Sequence, residues 1–128
     1  MRDARQILRD TFGYDSFRPG QRELVDGLLR GQDVFGLMPT GAGKSICYQV
    51  PALALDGVAL VVSPLISLMK DQVASLLQSG VKAAYLNSSL TPGQIRLALS
   101  RAAQGWYKII YVAPERLVTE SFLRVARS

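Results

Sequence analysis

The chain contains no histidine, one cysteine and one tryptophan. Without histidine, a Ser-His-Asp triad and a histidine-ligated metal site are excluded within these residues. The single thiol, Cys47, cannot close an internal disulfide, which agrees with a reducing, cytosolic setting. Cys47 comes two residues after Ser45 on a helix-compatible stretch, where a packed thiol fits better than a nucleophile. No apolar run approaches the roughly 20 residues that a membrane-spanning helix needs; residues 58–62 are among the longest. The N-terminus carries Arg2, Asp3, Arg5, Arg9 and Asp10 where a signal segment would be apolar. No membrane partner is expected.

What is present points to one folded domain. Hydrophobic residues make up 48% of 128 positions, enough for a core and too many for a disordered chain. The net charge is +5, and eleven of the fifteen basic residues are arginine, a residue suited to phosphate contacts. The charges are scattered, however, and a solvated surface accounts for them equally well.

The most informative stretch is Met38-Pro39-Thr40-Gly41-Ala42-Gly43-Lys44-Ser45. A short apolar run, residues 34–38, precedes it and a helix-compatible run, residues 46–50, follows. Strand, glycine-rich turn, Gly-Lys-Ser and helix form the context of a phosphate-binding loop. Gly41 and Gly43 let the backbone curl so that several N–H groups point at one anion. The helix start adds its positive end. On this reading Thr40, Gly41, Ala42, Gly43, Lys44 and Ser45 cradle a nucleotide. Lys44 reaches the β- and γ-phosphates and is the catalytic candidate, and Ser45 ligates Mg²⁺. An ordinary turn explains the glycines but not Lys-Ser at this spacing.

Around that loop the chain reads as alternating helices and strands. Asp3 caps a helix over residues 4–12 with Ile7, Leu8 and Phe12 inside, and Gly13 stops it. Pro19 suits the first turn of a second helix with Leu24, Val25, Leu28 and Leu29 as its stripe, closed by Gly31. Strands are expected at 33–38, 58–63, 81–86 and 108–112. The unbroken apolar character of 58–63 suggests a strand covered on both faces. Between the strands, the helix after the loop should stop or kink at Pro51. Leu65, Leu68, Met69, Val73, Leu76 and Leu77 mark another helix, ended by Gly80. Thr91-Pro92-Gly93-Gln94 forms a capping box ahead of Ile95, Ala98, Leu99 and Ala102, and Gly105 ends that helix. Residues 114–128 are helical in part. Such alternation gives an α/β fold, a parallel sheet with helices on both faces and ligands at the carboxyl ends of the strands.

Five blocks together resemble the RecQ family of helicases: Phe17-Arg18-Pro19-Gly20-Gln21; the loop at 38–45, whose Met38 stands where the general pattern has glycine and suits the helicase form; residues 61–73; Tyr85-Leu86-Asn87-Ser88-Ser89; and residues 111–117. Their order and spacing match across nearly the whole chain. The resemblance implies a RecA-like P-loop domain, ATP and Mg²⁺ as cofactors, and an ATP-driven DNA helicase moving 3′ to 5′ in recombination and repair. DNA is the implied partner, single-stranded here and duplex or forked in a full-length protein. Residues 1–31 become the adenine-recognition segment of a partial first motor domain, 1–128. Gln21 is similar to the family's adenine-reading glutamine, whose amide both donates and accepts. Tyr14 and Arg18 resemble the residues that stack on the base, although taken alone Tyr14 reads as core and Arg18 as solvent-facing. Ser63, Pro64, Leu65 and Ser67, then Asn87, Ser88 and Ser89, then Pro114 and Arg116 resemble the segments that contact a DNA strand. Plain turn chemistry accounts for the same residue types.

The chain departs from the pattern in one respect. The family's Asp-Glu-Ala-His box is not found; Ser63, Asn87 and Ala113 stand where strand ends would carry it. The expectation is therefore a domain incomplete at the C-terminus that holds nucleotide without turning it over. The alternative is a stand-alone, non-catalytic nucleotide-binding or nucleic-acid-binding module.

Overall fold

A computed structural model describes residues 3–18, 20–32, 45–63, 66–87 and 89–115. The expected strand at 33–38 lies outside them. So does the expected helical stretch at 114–128, apart from Pro114 and Glu115, which belong to a 3₁₀ turn. The chain divides into two compact units, residues 1–56 and 57–128.

The first unit contains α1 (Ala4–Phe12), α2 (Gln21–Leu29) and α3 (Ile46–Ala54), with α3 packed on both others. The Asp3 carboxylate accepts from the N–H groups of Arg5 at 2.8 Å and Gln6 at 3.3 Å, satisfying two donors that a helix start leaves orphaned. Gly13 closes α1 at φ 79°, a conformation that costs glycine little, and its N–H donates to Arg9. Ile7, Leu8, Val25, Ile46, Val50 and Ala54 form the core, with Phe12 and Phe17 packed against it. Helix α3 does not stop at Pro51 itself but continues one turn to Ala54. Proline at this position removes one bond, to the Cys47 carbonyl. The roughly 3 kcal/mol that an interior proline costs a helix is offset by burying Val50 and Ala54 in that core.

The second unit contains β1 (Ala59–Val62), α4 (Ile66–Gln78), β2 (Ala83–Leu86), α5 (Pro92–Ala103) and β3 (Ile109–Val112). The described sheet has the order β1-β3-β2, parallel throughout. Central β3 buries all four residues, so the middle of the sheet is covered on both faces. This agrees with the expected α/β, RecA-like class. The capping box forms as read: Thr91 Oγ1 accepts from the Gln94 N–H at 3.2 Å, and Gln94 Oε1 accepts from the Thr91 N–H at 2.8 Å. Ala98, Leu99 and Ala102 of α5 pack against Leu86, Ile110 and Val112.

One expectation about burial is corrected. Leu60 and Val62 pair in register with Ile110 and Val112 yet remain 45% and 51% exposed, so β1 is not covered on both faces. The α5 residues packed on Ile110 and Val112 share their cluster with Leu86 of β2. In α4, Met69, Val73 and Leu76 point inward, while Leu68 and Leu77 are exposed. Positions i, i+4 and i+7 already fill the narrow stripe that one sheet face accepts.

Candidate nucleotide and nucleic-acid site

In the first unit the site begins where α1 hands over to α2. An αL cap ends α1: the N–H of Gly13 reaches Arg9, and that of Tyr14 reaches Leu8 at 3.2 Å. Tyr14 emerges about half exposed, and Arg18 is exposed. Gln21 opens α2 and is buried. Its side-chain oxygen accepts from the Arg18 N–H at 2.7 Å, while its own N–H donates to the Arg18 carbonyl at 3.0 Å. This reciprocal pair fixes the amide of Gln21 against the turn, because a buried amide left unbonded costs free energy. Phe17 is held between the core and the Arg22 guanidinium, which sits 5.3 Å from its ring centroid. Arg22 in turn pairs with Asp26 at 3.1 Å. Sequence reading did not single out Arg22; its signal was the Phe17–Arg22 spacing across the start of a helix.

Residues 38–44 of the phosphate loop, with Thr40, Gly41, Ala42, Gly43 and Lys44, lie outside the described residues. Ser45 is described. It heads α3 in helical conformation, its carbonyl accepts from the Gln49 N–H at 2.9 Å, and its side chain makes no capping bond. The hydroxyl therefore stands at the positive end of a helix without being spent on it, which suits the ligation of a phosphate-bound cation. Among the described residues no cluster of three or more Cys, Asp or Glu offers a separate metal site. Cys47 is buried, and burial pushes its thiol above the ordinary value of 9.0, partly countered by a hydrogen bond to its own backbone. A raised thiol is a poor nucleophile, in keeping with a packing role.

In the second unit three strand ends coincide. Val62, Val112 and Leu86 share one level of the sheet, the Ser63 N–H donates to Val112 at 3.1 Å, and the Ala113 N–H donates to Leu86 at 3.0 Å. The register thus brings the segments at 63, 87 and 113 to one edge. Ser63 is half-buried, whereas Ser67, Ser89 and Pro114 are exposed. Pro64, Leu65, Ser88 and Arg116 lie outside the described residues. Asn87 is fully buried. Its oxygen accepts from the Ser89 N–H at 2.8 Å and from the Ser89 hydroxyl at 2.5 Å, and its amide nitrogen donates to Met69 Sδ at 3.5 Å. The side chain of Asn87 thus shapes the turn that presents Ser89. The Asn-x-Ser spacing of an Asx turn was the available signal.

A parallel α/β sheet with its polar segments at the carboxyl ends of the strands, and a helix led by Gly-Lys-Ser, defines a P-loop protein of the helicase type. The chain matches the DEAD/DEAH box helicase family over residues 18–127, and it belongs to that family. Within it the likeness is to RecQ helicases. The chain is 49% identical over 122 residues to the ATP-dependent DNA helicase RecQ of Haemophilus influenzae, covering 95% of this chain and 20% of that protein. It is 46% identical over 123 residues to RecQ of Bacillus subtilis, covering 95% and 21%. The likeness extends to the rat ATP-dependent DNA helicase Q1, 44% identical over 116 residues, covering 89% and 19%. The chain therefore spans about one fifth of the length of these relatives.

Proposed function

We propose that the chain binds ATP and Mg²⁺ and tracks a DNA strand as part of an ATP-dependent 3′-to-5′ DNA helicase of the RecQ kind, acting in recombination and repair in the bacterial cytosol or nucleoid. Ser45 is the observation that carries this reading, since its hydroxyl heads α3 without capping it, directly after Gly43-Lys44 in the sequence. In this proposal Thr40, Gly41, Ala42, Gly43 and Lys44 hold the phosphates, Lys44 neutralises the β- and γ-oxygens, and Ser45 ligates Mg²⁺. Residues 1–31 form the adenine segment, where Gln21 reads the base edge and Tyr14 and Arg18 stack on its ring. When bound, ATP with Mg²⁺ supplies the free energy that a helicase converts to strand movement.

The second unit presents Ser63, Ser67, Ser89 and Pro114, with Pro64, Leu65, Ser88 and Arg116 in the same segments, toward the sugar-phosphate backbone. Asn87 holds its turn in shape. Small hydroxyls and backbone N–H groups contact phosphate without reading sequence. The single-stranded form is bound here, and duplex or forked DNA by the full-length protein. A binding-only role for these 128 residues is favoured by one observation: the described strand ends carry Ser63, Asn87 and Ala113 and no carboxylate to orient a water. Calorimetric titration of ATP and GTP tests the nucleotide reading. Preference for ATP that is lost in Lys44→Ala supports it, and equal affinity of the two proteins for ATP overturns it.

A further inference from the structure

At the opposite edge of the same sheet, the N-terminal one, the second unit carries a different chemistry. Lys82 directly precedes β2, and Trp106 lies just ahead of β3. Lys82 Nζ sits 4.8 Å from the Trp106 ring centroid, and the Arg101 guanidinium carbon sits 4.7 Å from it. One half-exposed indole thus gathers two cations. Among the described residues neither Lys82 nor Arg101 forms an ion pair with a carboxylate. The described residues of the second unit hold five cations, Lys70, Lys82, Arg96, Arg101 and Lys108, against two acids, Asp71 and Glu115.

Arg101 also lines a cavity of about 210 Å³ between α4, α5 and β2, walled by Val73, Leu90, Leu97 and Ala98. That volume accommodates one leucine or phenylalanine side chain. The aliphatic walls suit an apolar side chain, with Arg101 at the rim to meet a charge beside it. Three consecutive residues of β2, Ala83, Ala84 and Tyr85, border the same cavity. Among the described strands β2 pairs only with β3, so its other edge offers backbone groups to an extended chain.

We infer that this edge is a docking site for an acidic peptide segment carrying one bulky apolar side chain. The apolar side chain fills the cavity, and flanking carboxylates pair with Arg101 and Lys82. Lys82, Arg101 and Trp106 lie away from the carboxyl-end segments proposed for DNA, while Tyr85 and Leu90 of the cavity flank residues 87–89; the inference does not rest on that proposal.

Trp106 is the sole tryptophan, so its emission reports on the patch directly. The probe is the peptide acetyl-Asp-Glu-Asp-Leu-Asp-Glu-Asp-amide, titrated into the 128-residue chain, with a fluorescein-labelled copy for anisotropy. The expected result is a saturable change in Trp106 emission that weakens severalfold between 50 and 300 mM salt. Replacing the peptide's leucine by glycine should weaken binding about tenfold. Lys82→Glu with Arg101→Glu should do the same by anisotropy, and both positions lie outside the buried core. Three results would overturn the inference: no saturable change, equal binding of the glycine peptide, or equal binding by the doubly reversed variant. Displacement of the peptide by decathymidylate at equal or lower concentration would also overturn it, by making the patch a nucleic-acid surface.

Discussion

The two units build their polar sites by different routes. In the first, Tyr14, Arg18 and Gln21 lie within one short stretch, and Gln21 is fixed by a bond to a residue three positions earlier. In the second, the segments at 63, 87 and 113 are separated by 24 and 26 residues and meet because three parallel strands end at one level. Each unit also buries one amide at its site, Gln21 in the first and Asn87 in the second. Both amides bond local backbone, and Asn87 also reaches across to Met69 in α4. A site built locally should survive damage to the sheet. One built by register should not.

The largest effect should come from Lys44→Ala. Losing a charge-assisted contact worth about 1.5–3 kcal/mol weakens ATP binding by roughly 10- to 100-fold. Single-stranded DNA binding, read by anisotropy, should stay within a factor of two, because in the proposal it belongs to the second unit. A parallel loss of DNA binding would break the division of labour.

Asn87→Ala should be next. It leaves the Ser89 N–H without its acceptor and cuts the link to Met69, at a cost of about 1–3 kcal/mol in urea unfolding. DNA affinity should fall with it while ATP affinity holds. Unchanged stability would show that the turn does not depend on this amide. Gln21→Ala should cost about 1 kcal/mol of stability through the lost Arg18 contact and should narrow the ATP-to-GTP affinity ratio, leaving DNA binding alone. Thr91→Ala removes one half of the capping box and should cost about 0.5–2 kcal/mol without touching either ligand.

The smallest effect concerns pH. Burial holds the Cys47 thiol above its ordinary value, so the folded chain keeps the proton longer than the unfolded one. The stability this contributes is complete below the unfolded value, near pH 9, and is lost as pH rises through the folded value. Denaturation midpoints should therefore fall more steeply above pH 9 in the native chain than in Cys47→Ala. Parallel slopes would remove the thiol from the balance.

Much of this was legible in the sequence because the relevant physics is short-range. Asp3, Gly13, Gly80, Thr91 with Gln94, and Gly105 punctuate helices through bonds or backbone angles settled within a few residues, and each punctuates where it was read. The inward stripe of α5 followed from its period. The order of the blocks pointed to the family that the match over residues 18–127 then showed. Three things were not legible. Pro51 stays inside α3 because packing on α1 and α2 outweighs a local penalty that sequence alone makes decisive. Leu60 and Val62 look like core, yet which strand a helix covers depends on strand order, and residues 59–62 read the same in either place. Asn87 looks like a polar contact on a loop, and only the packing of α4 against β2 turns its amide toward Met69. Sequence by itself determined where most helices begin and end, α3 excepted, and which residues are candidates for binding. Tertiary structure decided which of those groups face outward, because burial depends on neighbours brought together over many residues of intervening chain.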